Sequence, residues 1–541
     1  MNSQSRHHGR DALGPAAFFI AVFLIAFAPL LRGGNRPFPL LVLELAGLAG
    51  LAVALLPARS RQRIPAGAAI LAALVAFIPL LHLLPLPLNV WGALAGRASF
   101  VDELRALPDA ATHAVTLIPF ETEYSALALL PSLAAFLLGL QLRLQQVTRV
   151  LLVLVAVAAV EAVLGLMQYG LLGGGEAGMR ASGTYVNPNH FAGLLLMALP
   201  IALMGLANEI GDRRRELKPG RGLLGALKRA TTAKGTKVLV AVAVIVVLLM
   251  AVVFSRSRAG IMLAALGVAI TTITAAPRIG GPRAYGLMGL VLAVVVGFAA
   301  AIGLIPVIDR FAEIGTLEDD RWPMILAAVE MAGRYFPVGA GMGTFAALFP
   351  PYQPPEILAL VHRAHNDYVE WVAEGGLLAL LAIGFAFALF VMRLVTLRRE
   401  QDEHRVHYLQ VGAAIGVLLM ALHSFVDFNL RIPANAIVFA LLAGVLLARQ
   451  QPVQLRERQR DRHAQVPIAP IPLAPVPKLD PDAAERVRAV WAASAETAPL
   501  PNALTTAPFD LTPSPSPAAS APAAASEKAP HDHAPAGTAR H

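Results

Sequence analysis

Residues 237–276 read KVLVAVAVIVVLLMAVVFSRSRAGIMLAALGVAITTITAA: two long apolar runs separated only by Ser255-Arg256-Ser257-Arg258. A helix that crosses a bilayer needs about 20 mainly apolar residues. In lipid only helices and closed barrels satisfy every backbone group, and these runs are too long for barrel strands. The stretch therefore reads as two spanning helices joined by a short turn that carries two arginines. Similar runs lie near 14–31, 38–57, 66–87, 124–142, 150–171, 190–208, 284–305, 376–395, 408–424 and 433–449. The fold class this predicts is all-α, a polytopic bundle of about twelve transmembrane spans. Arg6 and Arg10 precede the first run, but no convincing small-residue cleavage site follows it, so it reads as a retained helix.

Composition agrees. The chain of 541 residues is 56% hydrophobic and 15% charged, whereas a soluble domain is about a quarter charged. Too little charge is present to cover a water-exposed surface. The absence of cysteine excludes structural disulfides, iron–sulfur clusters and thiolate metal sites. The net charge of +9 fits cytoplasmic loops rich in Lys and Arg. No basic run is interleaved with aromatics, which argues against nucleic acid as a partner.

With the N-terminus placed in the cytoplasm, the inner loops collect Arg59, Arg61 and Arg63; Arg143 and Arg149; a dense group from Arg213 to Lys237; Arg278 and Arg283; and Arg393 to Arg405. This asymmetry predicts that both termini are cytoplasmic. It leaves three outer segments: 89–123, 173–190, and the large loop 306–375 between spans 9 and 10, which has helical patterns around Met324–Tyr335 and Asp367–Glu374. Long loops in compact proteins are commonly functional. The predicted domains are 1–450, the membrane domain with 306–375 as its periplasmic loop, and 451–541, a Pro/Ala-rich cytoplasmic tail. The tail cannot bury enough apolar area to offset its ordering entropy, so it reads as mostly disordered, with room for one amphipathic helix near Pro481–Thr497.

Four constellations could carry chemistry. Arg256 and Arg258 sit on an outer turn, against the positive-inside trend; they are either headgroup-snorkelling side chains or an anion site, guanidinium being suited to phosphate oxygens. Arg321 stands at a helix start, followed by the glycine run Gly339–Gly343, which reads as a turn or as a set of exposed backbone N–H groups. His362 to Glu374 crowds polar groups above a span; His365 and Tyr368 fall on one helical face, as do Asn366 and Glu370, unless the group simply caps the helix. Arg180 through Tyr185, Asn187, Asn189 and His190 forms either a turn or a sugar-binding edge. Glu44 and Glu161 lie within spans, as functional groups or as hydrogen-bonded helix contacts.

The order of Gly183-Thr184-Tyr185-Val186-Asn187-Pro188-Asn189-His190, then Ser255-Arg256-Ser257-Arg258-Ala259-Gly260, then Arg321 through Phe345, then His365-Asn366-Asp367-Tyr368 with Glu374-Gly375-Gly376, resembles the O-antigen ligase and O-antigen polymerase superfamily over about residues 180–430. The tail departs from that pattern. The resemblance implies a metal-independent, inverting glycosyltransferase of the bacterial inner membrane, using no cofactor and active on its periplasmic face. Its donor would be a glycan on undecaprenyl pyrophosphate, and its acceptor a sugar hydroxyl of lipid A–core or of another lipid-linked glycan. In that reading His365, Arg321 and Arg258 are catalytic. Imidazole titrates near neutral pH and suits a general base, while fixed arginines stabilise charge on the leaving pyrophosphate. Arg256, Arg180, Tyr185, Asn187, Asn189, Asn366, Tyr368 and Asp427 would bind substrate. The rival from another class is a transporter or flippase of lipid-linked sugars. Such a protein should show internal repeats and paired charges at mid-depth, whereas here the polar groups gather in outer loops. A scaffold recruiting partners through the tail is a weaker third reading.

Overall fold

The computed structural model describes residues 4–56, 63–107, 111–171, 179–216, 233–302, 308, 321–399, 405–448 and 481–495. The fold is overwhelmingly helical. Each apolar run of the sequence carries a helix: α1 (Gln4–Leu30), α2 (Pro37–Leu55), α3 (Ala66–His82), α4 (Pro119–Gln141), α5 (Leu144–Leu171), α6 (Pro188–Glu216), α7 (Ala233–Phe254), α8 (Arg258–Ile279), α9 (Gly281–Ile302), then α10 (Arg321–Tyr335) in the large loop, and α11 (Asp367–Arg399), α12 (Arg405–His423) and α13 (Pro433–Leu447). Seven of these are long and apolar enough to cross a membrane, and five apolar helices are shorter. The chain is thus a multi-pass membrane protein. Residues 457–541 form a separate unit, whose described part is one helix, α14 (Pro481–Ala495). Expectations for residues 309–320 and for the rest of the tail lie outside the described residues.

The centre of the bundle is α6, whose apolar stretch is 94% buried. Helices α7, α8 and α12 pack around it, while α2, α4 and α13 form a neighbouring layer. Glycines permit the closest crossings. A Cβ on Gly444 of α13 would meet the backbone of Phe136 and Gly139 on α4, so these two helices touch backbone to backbone. Small residues at a crossing are the expected device where lipid removes the hydrophobic drive for association.

At one end of the bundle the connections converge, because the helices alternate in direction. His82 Nε2, at the end of α3, lies 3.1 Å from the Val338 carbonyl. The Ala181 amide donates to Phe254 O at the end of α7, and Asn435 Nδ2 at the start of α13 donates to His190 O at the start of α6, at 3.0 Å. A cap with its own small core, including Met324, Ala328, Met331, Phe345 and Phe349, sits among these connections. Two segments far apart in sequence knit it together. After α3 comes a two-stranded antiparallel hairpin, β1 (Pro85–Pro87) with β2 (Thr112–Ala114). The fully buried Arg97 between the strands donates to the carbonyls of Val115 (2.7 Å) and Gly339 (2.8 Å). Burial pulls that guanidinium down to about 10, against the raising effect of Tyr335.

Helix α11 is two helices, 367–375 and 377–399, broken at Gly376, whose φ of 59° and ψ of −141° suit only glycine. Residues 337–341 pass through the break: Leu377 N donates to Pro337 O (2.8 Å), Gly341 N to Glu374 O (2.9 Å) and Ala340 N to Ala373 O (3.0 Å). The glycine run is therefore committed to this crossing. Gly339, Gly341 and Gly343 all have positive φ; a Cβ would collide with Glu374 and Gly376 at Gly339, with Thr116 at Gly341, and with Glu121 and Ser125 of α4 at Gly343.

Candidate active site

The connection between α12 and α13, residues 424–432, is the organiser. Asp427 is fully buried. Its Oδ1 accepts from the Phe428 amide (2.9 Å) and faces two imidazoles, His365 Nδ1 at 3.4 Å and His190 Nε2 at 3.7 Å. Both rings meet the Phe428 ring edge to face, with centroids 4.9 and 4.6 Å away. Burial alone would push the Asp427 carboxyl up. The two imidazoles and the charge of Arg321 outweigh it and hold Asp427 well below the usual carboxylate range. Arg321, the first residue of α10, donates from Nη1 to Val426 O at 3.0 Å. The His365 side chain keeps 27% of its surface exposed. With Nδ1 turned to the carboxylate, Nε2 is the nitrogen left for a substrate.

His365 is held in a left-handed backbone conformation, φ 51°. Non-glycine residues seldom adopt it, although His is among the more tolerant, and such outliers cluster where a site needs them. This corrects the expectation that His365 and Tyr368 share a helical face. The helix starts only at Asp367, and the turn before it swings His365 toward Asp427. Asn366 caps that helix: its Oδ1 accepts from the amides of Tyr368 (3.0 Å) and Val369 (3.1 Å), while Nδ2 donates to Phe425 O (3.0 Å). Tyr368 donates its hydroxyl to Ala421 O at 2.7 Å. Both side chains brace the site in this structure.

A buried ion cluster lies behind it. Arg431 forms ion pairs with Glu370 (Nε to Oε1, 3.0 Å) and Glu374, one helical turn apart on α11, and Arg363 donates to Glu370 at 2.9 Å. Burial would lower the Arg431 guanidinium, but Glu374 and Glu370 more than compensate and raise it above its ordinary value. Asp367 Oδ2 accepts from the Leu430 amide at 3.0 Å. Together these bonds tie the segment carrying Asp427 to the helix that follows His365.

Next to His190 lies a second polar group. Arg180 donates to Ser255 O (2.8 Å), Arg256 O (3.3 Å) and Asn189 Oδ1 (3.1 Å). Arg256, also left-handed at φ 51°, places its guanidinium on the Tyr169 ring and donates to the Tyr169 hydroxyl at 3.2 Å. Ser257 caps α8 by accepting from the Gly260 amide. Arg258 is therefore the first residue of α8, and that end of the helix packs on Ala192, two residues past His190. Asn187 accepts from the Asn189 amide in a turn (2.8 Å). Tyr185 is buried and donates to Asn435 (3.2 Å). Glu161 accepts from the Thr184 amide (2.8 Å), which makes it a brace for this loop.

The structure thus brings His365, Asp427 and Arg321 together and sets Arg180, Asn189 and Arg256 beside them, with Arg258 at the adjoining helix start. It directs Tyr185, Asn366 and Tyr368 into internal bonds. Sequence reasoning missed His190 as a partner of Asp427, and it missed Arg431 with its two glutamates. The glutamate pair carried a signal, its i, i+4 spacing directly before a span. Residues 243–384 match the family model for O-antigen ligases. The matched segment contains Arg256, Arg258, Arg321 and His365, and it supports the resemblance to the O-antigen ligase/polymerase superfamily. No curated protein matches the chain.

Proposed function

We propose, starting from an O-antigen ligase-type domain in a multi-pass membrane protein that acts in envelope polysaccharide assembly, that this chain moves a glycan from undecaprenyl pyrophosphate to a sugar hydroxyl on the periplasmic face of the inner membrane. Twelve spans with both termini in the cytoplasm put the cap on that face. The observation that carries the reading is the convergence of His365, the buried Asp427 and Arg321 on one connection at the capped end of the bundle.

The chemistry follows from that convergence. The acceptor oxygen forms a bond to the anomeric carbon as the carbon–oxygen bond to phosphate breaks, with inversion. The electron pair leaves on the lipid pyrophosphate, and the hydroxyl proton passes to His365 Nε2. Asp427 holds Nδ1 and stabilises the imidazolium that forms, much as a triad carboxylate does. The charge growing on the pyrophosphate needs fixed cations. Arg321 is placed for it, and Arg258 and Arg256 form the next tier at the α7–α8 turn. Guanidinium matches phosphate oxygens in pairs, so this route needs no metal. A ligase with lipid A–core as acceptor is the first reading, and a polymerase of the same superfamily, with a second lipid-linked glycan as acceptor, is the second.

The test is a deletion strain complemented with parent or His365→Ala protein. A ligase defect leaves long polymer on the carrier lipid, and a polymerase defect leaves single repeat units. His365→Ala should reproduce the deletion at normal protein level, through a loss of about 10²–10⁴-fold. Wild-type surface polysaccharide from that variant would discard the reading.

A further inference from the structure

Helix α10 has three faces. Met324, Ala328, Met331 and Tyr335 point into the cap. Trp322, Leu326 and Val329 are exposed at 65%, 67% and 50%; at about 100° per residue they fall within an arc of roughly 60°. Exposed Glu330 and Arg334 occupy the arc beside them. An apolar stripe next to a polar flank, on a helix already packed along its third side, marks a surface with a partner.

The height of the helix identifies that partner. Arg321 bonds the carbonyl of Val426, on the connection between the end of α12 and the start of α13. The beginning of α10 therefore sits where two apolar helices end, at the level of a bilayer surface. Phe425, on the same connection, is also exposed, at 53%. Trp favours that level, and Arg snorkels from it toward phosphate. Arg321 and Arg334 put cations near both ends of the stripe.

We propose that α10 is an interfacial helix whose Trp322–Leu326–Val329 stripe is buried in the lipid leaflet on the cap side. Its partner is the lipid surface, and the bilayer sets the height of Arg321. The inference rests on the membrane-spanning reading alone and is independent of the transfer chemistry.

The chain contains no cysteine, so single cysteines can be placed without background. Trp322→Cys, Leu326→Cys and Val329→Cys in the stripe, and Glu330→Cys and Arg334→Cys in the flank, are each spin-labelled in full-length protein in nanodiscs of phosphatidylethanolamine and phosphatidylglycerol. Relaxation by oxygen, which concentrates in lipid, is compared with relaxation by a water-soluble nickel chelate. Stripe labels should favour oxygen several-fold over flank labels. Equal nickel access on both faces would put the stripe in water and overturn the proposal. Protection from both reagents, with dipolar broadening between copies, would assign the stripe to a second copy of the chain and overturn it too. Should Trp322→Cys fail to accumulate, Leu326→Cys and Val329→Cys carry the same reading. None of these measurements uses a glycan, so their failure leaves the proposed transfer standing.

Discussion

Replacing Asp427 by Asn tests the histidine–carboxylate arrangement at little steric cost. Asparagine fills the same space and can still accept the 2.9 Å bond from the Phe428 amide. What disappears is a negative charge 3.4 Å from His365 Nδ1 and 3.7 Å from His190 Nε2. At an effective dielectric constant of about 20, a unit charge at that distance stabilises an imidazolium by about 5 kcal/mol. This corresponds to about three to four decades in rate. It is an upper bound, because the imidazolium is only part-formed in the transition state. A loss of about 10²–10³-fold in transfer is expected, within the range a general base supplies, with donor affinity close to that of the parent. The pH dependence follows from the depressed carboxyl of Asp427. Its charge is fully present above the ordinary Asp value of about 4 and is lost only as pH falls through the lower folded value. The charge that the substitution removes is therefore constant from about pH 5 to 8. The assay is transfer in vesicles from cells that make the lipid-linked donor, at matched protein level. A variant within about threefold of the parent, or a deficit confined to acid, would refute the reasoning.

Three further outcomes are expected. Arg321→Lys keeps the charge but loses the planar fork, so transfer in the same vesicles should fall by about 10²-fold, the effect of removing one preorganised donor. Arg431→Met leaves Glu370 and Glu374 buried opposite an apolar side chain, with the Arg363 cation and the Ala364 amide still on Glu370 and the Phe345 amide on Glu374; breaking a buried pair costs about 3–5 kcal/mol, read as a lowered unfolding midpoint in detergent and poor accumulation. Tyr368→Phe removes one bond to Ala421 O, so stability should drop by about 0.5–1.5 kcal/mol with transfer unchanged, whereas a sugar-binding tyrosine would lose donor or acceptor affinity.

The helices were legible because spans are written as uninterrupted apolar runs, and in lipid runs too long for barrel strands have no alternative to helix. The break at Gly376 was not, since Glu374-Gly375-Gly376 is followed by an apolar stretch that looks continuous. What breaks it is a hydrogen-bonded crossing with Pro337–Gly341, a contact that no local pattern encodes. Arg321 and His365 stood out as residue types suited to the chemistry. Asp427 read as a substrate-binding residue on a later turn rather than as the partner of an imidazole, and His190 was absorbed into a loop of turn-forming asparagines; their pairing depends on two helix ends meeting across more than 200 positions of chain. Tyr368 and Asn366 show the opposite error. Polar residues near a site attract a binding role, although a helix start needs a cap and a tyrosine hydroxyl needs an acceptor.

The interrupted helix α11 also acts as a ruler. Because Leu377, Gly341 and Ala340 share their backbone bonds across the gap, the cap is fastened to the span in a fixed register. The distance along the chain from that fastening to His365 is set by the number of residues between them. Lengthening the exposed stretch 358–360 by one residue changes only a surface path. Inserting one residue between 337 and 341 would displace every bond at the crossing, so the first kind of insertion should be tolerated and the second should not. Length variation in proteins built this way is therefore expected to collect on one side of the fastening, leaving the crossing itself constant in size.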